Sequence, residues 1–235
     1  MTDVHNPQRP RPISGVRQTV RALVLAAGFG RRFGADKRQA RLASGEPLLH
    51  AALRPYIEAQ TPLTVVLRPE DTALASSLTA VAPRIAIAYA AAAAAGMGHS
   101  LAAGVEAVRS TVTDPSTVGL IVGLGDMPHV RAATVRALAH ALAVGSAADI
   151  VQPYSPPAPA APAADPAATD QARRGGNPIG FGSDWLAALE TLRGDAGARE
   201  LVAAAAREGR LTRLAVNDEG IYRDVDSPAD LRPQR

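Results

Sequence analysis

From Val20 onward, short apolar runs alternate along the chain with longer stretches in which apolar residues return at a helical interval. Residues 22–27, 63–67, 85–89, 118–124 and 149–152 have the length and near-continuous hydrophobicity of strands buried on both faces. The stretches between them, 47–59, 71–80, 100–108 and 132–144, have helical spacing. Strands alternating with helices imply right-handed crossovers, hence a doubly wound α/β fold with a mostly parallel sheet covered on both faces. The pattern breaks at 154–174, where Ser155-Pro-Pro-Ala-Pro-Ala-Ala-Pro162 is short of backbone donors and cannot continue a helix, which predicts a surface loop. Beyond it, helices are predicted at 184–192 and 196–207, a strand at 211–216 and an extended piece at 222–225. Residues 1–20, rich in Pro, Arg, Asn and Gln and without an apolar period, read as a disordered leader. That leaves 21–235 as one domain, within the reach of a single core.

Composition narrows the partners. Aromatic residues are only 3% of the chain, so few rings are left for stacking bases. The net charge of +3 is scattered, with slight clustering at Arg31, Arg32, Lys37, Arg38 and Arg41, where a polynucleotide binder would carry a denser basic stripe. A small polyanion fits better, and no nucleic-acid partner is expected. There is no cysteine, which excludes disulfides, thiol nucleophiles and Cys-based metal sites, so any metal is held by oxygen or His ligands. The N-terminus lacks the apolar core of a signal peptide, and the alanine run 90–95 is too short to span a bilayer. The expected place is the cytoplasm, away from membranes.

The densest chemistry follows the first strand: Leu25-Ala26-Ala27-Gly28-Phe-Gly30-Arg-Arg32-Phe-Gly34-Ala-Asp-Lys37. Glycines at this spacing let the backbone turn tightly and aim N–H groups at phosphate oxygens, while Arg32 and Lys37 bring charge. A dinucleotide fingerprint would need Gly where Phe33 stands, and the Gly-Lys-Ser/Thr ending of a Walker loop is absent. The plain alternative is a tight strand-to-helix turn. Against it stands Lys37, the only lysine in a chain whose other cationic side chains are all arginine. A position that keeps an ammonium there has use for a compact point charge rather than a planar guanidinium.

This stretch is similar to the LAAGxGxRxGxxK signature of the MobA-like nucleotidyltransferase superfamily, and further matches follow in order. Gly96-Met-Gly98-His99-Ser100-Leu-Ala-Ala-Gly104 resembles the loop and helix start that helps hold the nucleotide in that superfamily. Gly125-Asp126-Met-Pro128 resembles its Gly-Asp-x-Pro metal motif. The segments 173–181, with Asn177-Pro178, 193–199, with Asp195 and Arg199, and 224–231, with Asp224, Asp226 and Pro228, resemble the molybdenum cofactor cytidylyltransferase branch. The resemblance runs from about Val20 to Leu231. It implies a Rossmann-like nucleotidyltransferase fold and the transfer of CMP from CTP to the molybdopterin form of the cofactor, with Mg²⁺ as cofactor and release of pyrophosphate. It further implies an acceptor site at Asn177, Asp195 and Arg199, and a molybdoenzyme maturation partner. Within the class, transfer of GMP, or to another phosphorylated acceptor, is the alternative; outside it, a nucleotide-binding regulator without turnover.

Several residues keep two readings. Asp126 follows a hydrophobic strand and so emerges at its carboxyl end, where open α/β sheets bind ligands and where a carboxylate suits Mg²⁺; it could instead be a turn former before Met-Pro. Asp224 and Asp226 lie on one face of an extended segment, one of them completing the metal site, or either capping the turn near Pro228. Ser100 and His99 could contact base, ribose or acceptor, or Ser100 could cap the helix that follows. Asp195 and Arg199 could pair as a solvated ion pair on a helix. His5, His50, His129 and His140 have no metal-ligand spacing.

Overall fold

A computed structural model describes residues 18–30, 33–34, 36–156, 175–195 and 197–231. Seven strands form one sheet: β1 (Thr19–Leu25), β2 (Leu63–Leu67), β3 (Ala86–Tyr89), β4 (Val118–Leu124), β5 (Ile150–Tyr154), β6 (Ile179–Phe181) and β7 (Leu211–Ala215). Their order is β3-β2-β1-β4-β6-β5-β7, and every neighbouring pair is parallel except those made by β6, which runs antiparallel between β4 and β5. The fold is therefore the doubly wound α/β arrangement, with one reversed strand inside the sheet. Sequence periodicity misses β6 because Ile-Gly-Phe is too short to show a period.

Alternate residues of each strand face opposite sides. Ala22, Val24, Val65, Leu67, Ile121 and Val151 pack with residues of α1 (Leu48–Glu58), α2 (Thr72–Val81) and α4 (Ala132–Val144). Leu23, Val66, Leu120, Val122, Ile150 and Phe181 pack on the other side with residues of α3 (Met97–Ser110), α5 (Leu186–Glu190) and α6 (Arg199–Arg207). Two buried layers follow from that alternation, and central β1 and β4, in register from Thr19↔Val118 to Leu25↔Leu124, end together.

The structure shifts several sequence-based boundaries, among them the first strand, which runs over Thr19–Leu25 rather than 22–27. The α3 helix starts at Met97 rather than at 100, because Gly96, at φ 125° and ψ 166°, turns the chain sharply just before it. Residues 219–222 form a short 3-10 turn, capped by the Asp218 carboxylate on Gly220 N–H, where the expected extended piece would have begun. The α6 helix starts at Arg199 rather than 196. The expected leader ends sooner than residue 20, because Thr19 and Val20 already pair in β1 and Gln18 is buried beside it; residues 1–17, and residues 157–174 of the expected loop, lie outside the described residues. No helix among the described residues is long and apolar enough to cross a membrane.

Candidate active site

The glycine loop leaves β1 at the sheet's carboxyl edge. Ala26 N–H still bonds Val66 C=O (2.9 Å), so the chain stays paired for one residue past the strand before it turns. Gly30 (φ 54°) and Gly34 (φ 75°) then take the left-handed backbone that only glycine adopts cheaply. A cleft of about 350 Å³ opens here, lined by Leu25 to Gly30, Lys37, Ala93, Met97, Ser100, Asp126 and Asp195 among others. Gly28 has open space where a side chain would stand, leaving its backbone accessible from the cleft. Arg32 lies outside the described residues.

Lys37 opens a single 3-10 turn, Lys37–Gln39, whose N-cap Asp36 accepts from Arg38 N–H. Its Nζ donates to Asp126 Oδ2 at 2.7 Å, to Val225 C=O at 3.1 Å and to Asp226 Oδ1 at 3.5 Å. Burial draws the Lys37 ammonium down, but its hydrogen bond to Asp126 and the charges of Asp126 and Asp226 outweigh it, so its pKa is raised. Lys37 is therefore a fixed cation at neutral pH.

Asp126 sits where β4 ends, held there by two backbone bonds. Gly125 N–H donates to Leu25 C=O, and Val225 N–H donates to Asp126 C=O, both at 2.9 Å. The second bond draws the C-terminal segment onto the site and places the exposed Asp226 carboxylate beside Lys37. Asp126 Oδ1 is buried and has no hydrogen-bond partner among the described residues. Such an atom calls for a partner. Among the described residues no group of three or more His, Asp or Glu side chains could hold a metal. Two carboxylates with one free, buried oxygen still fit a hard divalent cation that takes its remaining ligands from phosphate and water. Asp224, the other metal candidate, lines a separate cleft of about 530 Å³ with His129, Tyr222, Arg223 and Asp230, and residues 223–226 are not part of a strand. There, burial and the charge of Arg223 lower the His129 pKa.

The far wall of the first cleft is built from two loops locked together. A Cβ on Gly98 would lie 2.8 Å from the carbonyl carbon of Arg193, and one on Gly96 would overlap the backbone of Gly194. Gly98 N–H donates to Gly194 C=O at 2.7 Å. Ser100 is thereby a fourth-position helix residue facing the cleft, not a cap; the cap position belongs to Gly96, which has no side chain to offer. His99 is half-buried and is not among the cleft's lining residues. The same docking puts Asp195 in the wall of the glycine-lined cleft. Arg199 is exposed at the start of α6, outside that wall, and is four residues on from Asp195 without an ion pair to it. Asn177 precedes β6 and donates its N–H to Ile221 C=O at 2.9 Å, so it sits beside the end of β4 and the C-terminal segment.

Four residues absent from the sequence-based set lie under the lysine turn. Arg38, 3% exposed, donates to Asp36, to both carboxylate oxygens of Asp71 and to Ala26 C=O (2.9 Å). Asp71 also accepts from the Arg68 side chain (2.7 and 3.0 Å), and the Arg68 guanidinium stacks over Phe29 of the glycine loop, 5.1 Å from the ring centre. Burial would raise Asp71, but hydrogen bonds from Arg38 and Arg68 hold it well below the usual carboxylate range; the Arg38 hydrogen bond likewise lowers Asp36. Arg38 is pushed up by Asp71 and Asp36 despite burial. Only the charge cluster around position 37 hinted at this network.

A glycine loop, a cation and a carboxylate at the adjoining ends of two central parallel strands define a nucleotide site of the open α/β class. The chain matches the MobA-like NTP transferase domain over residues 22–210 and belongs to that family. It is similar to the Mycobacterium tuberculosis protein Rv0371c at 24% identity, covering 91% of this chain and 95% of that one, with a TM-score of 0.63. It is also similar to a nucleotidyl transferase from Methanothermobacter at 21% identity, 90% and 94% coverage and a TM-score of 0.65. A 4-diphosphocytidyl-2C-methyl-D-erythritol synthase from Anaerococcus prevotii matches at 14% identity, 91% and 93% coverage and a TM-score of 0.64. These likenesses are of fold. No curated protein sequence matches.

Proposed function

We propose that the protein transfers a nucleoside monophosphate from a nucleoside triphosphate to a phosphorylated small-molecule acceptor. The observation that carries this reading is the Lys37–Asp126 pair, 2.7 Å apart, at the wall of a glycine-lined cleft. An acceptor phosphate oxygen bonds to the α-phosphorus, the bond from that phosphorus to the bridging α–β oxygen breaks, and pyrophosphate leaves with the electron pair. Such a transfer asks the protein for positioning and charge neutralisation, with no nucleophilic side chain. The Gly28–Gly30 backbone, with Arg32, binds the β- and γ-phosphates. Lys37 stabilises charge at the α-phosphate. Asp126 and Asp226 hold a divalent cation, which when bound neutralises phosphate charge; a solved structure of the similar Rv0371c carries manganese, and Mg²⁺ suits the same oxygens.

The nucleotide is CTP in the narrower reading and the acceptor the molybdopterin form of the cofactor. The segments 173–181 and 193–199 favour that branch, and Asn177, Asp195 and Arg199 are its acceptor contacts, Asp195 from within the nucleotide cleft. The similar synthases named for a diphosphocytidyl product favour CTP while pointing to a different phosphorylated acceptor. The test is pyrophosphate release from CTP, GTP, ATP and UTP, each with molybdopterin and with a phosphorylated methylerythritol. Release with CTP and either acceptor supports the class and assigns the acceptor. A clear GTP preference removes the cytidylyl reading, and nucleotide binding without release from any pair makes the chain a non-catalytic binder.

A further inference from the structure

We propose that Arg38 is a positioning residue, clamped between Asp36 and Asp71, that holds the neighbouring Lys37 ammonium on Asp126. The proposal rests on the nucleotidyltransferase reading for its consequence, and on geometry for its content.

The loop that delivers Lys37 cannot place it. It contains glycines at 28, 30 and 34, two of them in left-handed backbone, and ends in a turn of only three residues. A single 3-10 turn has little rigidity of its own. Its side chains, however, diverge. Lys37 points to Asp126, Val225 and Asp226, while Arg38 points into the protein and takes hold of three separate elements. It reaches the end of β1 through Ala26 C=O, the N-cap of its own turn through Asp36, and the residue preceding α2 through Asp71. Fixing Arg38 fixes the backbone of the residue before it, and with it the start of the lysine side chain.

The charge pattern argues that this cluster is more than a fold stabiliser. Arg38, Arg68, Asp36 and Asp71 sum to zero, with the exposed Glu70 joining only at the rim through Arg68 (3.6 Å), so the inner group is neutral and the Lys37 charge is left to Asp126 and Asp226. A buried ion pair adds little net stability, because desolvation offsets the attraction. What such a pair does well is hold one geometry, and the planar guanidinium fork of Arg38 holds two carboxylates at once. Asp71 also reaches the phosphate loop through Arg68 and Phe29, so lysine turn and loop share one anchor.

The lone lysine makes the idea measurable without any substrate. Growth on ¹³C,¹⁵N-lysine labels Lys37 alone, and its side-chain resonance at fixed pH reports where the ammonium sits. In Arg38→Gln the expected result, in protein shown by circular dichroism to be folded, is a Lys37 side-chain signal moved toward that of free lysine. Pyrophosphate release from CTP should lose kcat by about a hundredfold, the scale of a misplacement of roughly 1 Å, with KM for CTP within about threefold. Asp36→Asn, which removes a more exposed partner and leaves Asp71 in place, should give the same changes to a lesser degree; it decides the matter if Arg38→Gln does not fold. A folded variant with lowered Tm but wild-type Lys37 shift, line width and kcat overturns the proposal and leaves the cluster a stabilising one. If the wild type releases no pyrophosphate, the transferase reading fails while the Lys37 resonance still decides the positioning role.

Discussion

At the residue scale, the site turns on where charge is placed and what answers it. Asp126 has one oxygen on Lys37 and one buried without a partner among the described residues, so its carboxylate serves charge rather than packing. Asp126→Asn keeps the shape and removes the charge; we expect loss of metal-dependent turnover with the melting temperature within a few degrees of wild type. A magnesium titration of pyrophosphate release checks it, and near wild-type turnover refutes the metal assignment. Asp71 allows a second prediction, in which pH sets the sign. Its folded pKa lies below the unfolded value of about 3.9, so the unfolded chain binds the extra proton and stability rises with pH. That contribution is complete above about pH 5 and is lost as pH falls toward the folded pKa. Breaking a buried pair costs about 3 kcal/mol or more, so Asp71→Asn should lower Tm by roughly 10 °C at pH 7. The gap should narrow below about pH 3, as the unfolded wild-type chain takes up a proton that the native Asp71 carboxylate still refuses. A gap that stays constant from pH 7 to pH 2.5 in calorimetry would contradict the ion-pair account. Among these residues, Lys37 and Asp126 are legible in sequence because rarity and strand-end position mark them. Arg38 and Asp71 are not, since nothing local says that an arginine beside a glycine loop will be buried.

At the element scale, the strand ends carry the site, and helices supply its walls. The β1–β4 register sets Leu25 opposite Leu124, so the glycine loop and Asp126 leave the sheet side by side. Hydrophobic runs foretell those two strands well, because both are buried on both faces and long enough to register. They do not foretell β6, whose three residues owe their strand state to the neighbours on either side. Nor does periodicity locate the start of α3, which a backbone contact decides. Gly98 N–H and the carbonyl of Gly194 join two segments nearly a hundred residues apart, and the lack of a side chain permits the approach. Gly98→Ala would press a methyl against the Arg193 backbone, which cannot swing aside as a flexible side chain would. Overpacking of this kind costs about 1–3 kcal/mol, and the wall carrying Ser100 and Asp195 must shift with it. We therefore expect a Tm lower by roughly 2–12 °C and weaker CTP binding, with kcat less affected than KM. Unchanged affinity by calorimetric titration would detach this wall from the nucleotide.

At the scale of the whole molecule, the question is which parts of the chain the fold can do without. The two cores, one on each face of the sheet, are drawn from β1 to β5 and β6, and from the helices on either side. The proline-rich stretch enters neither through its described ends. Those ends are tied down locally: Gly176 N–H donates to Pro153 C=O at 2.8 Å, and Ser155 N–H donates to the Tyr222 hydroxyl at 3.0 Å. The chain therefore leaves and returns at nearly one point, and a short linker suffices to close the gap. Loop-closure entropy grows only slowly with length, about 0.6 kcal/mol per doubling, so shortening such a loop changes stability little. Deleting residues 157–170 retains four residues before Gly175 and should leave Tm within about 2 °C. Activity should persist as well, because Lys37, Asp126 and Asp226 are positioned by bonds among residues 25, 37, 125, 126 and 225. Asn177 provides the sensitive readout, since it is the proposed acceptor contact nearest the deleted stretch. If the KM for the acceptor rises while that for CTP holds, the stretch contributes to acceptor binding. If Tm falls by 5 °C or more, the segment packs on the domain, and its sequence, poor in apolar period, has hidden a structural role.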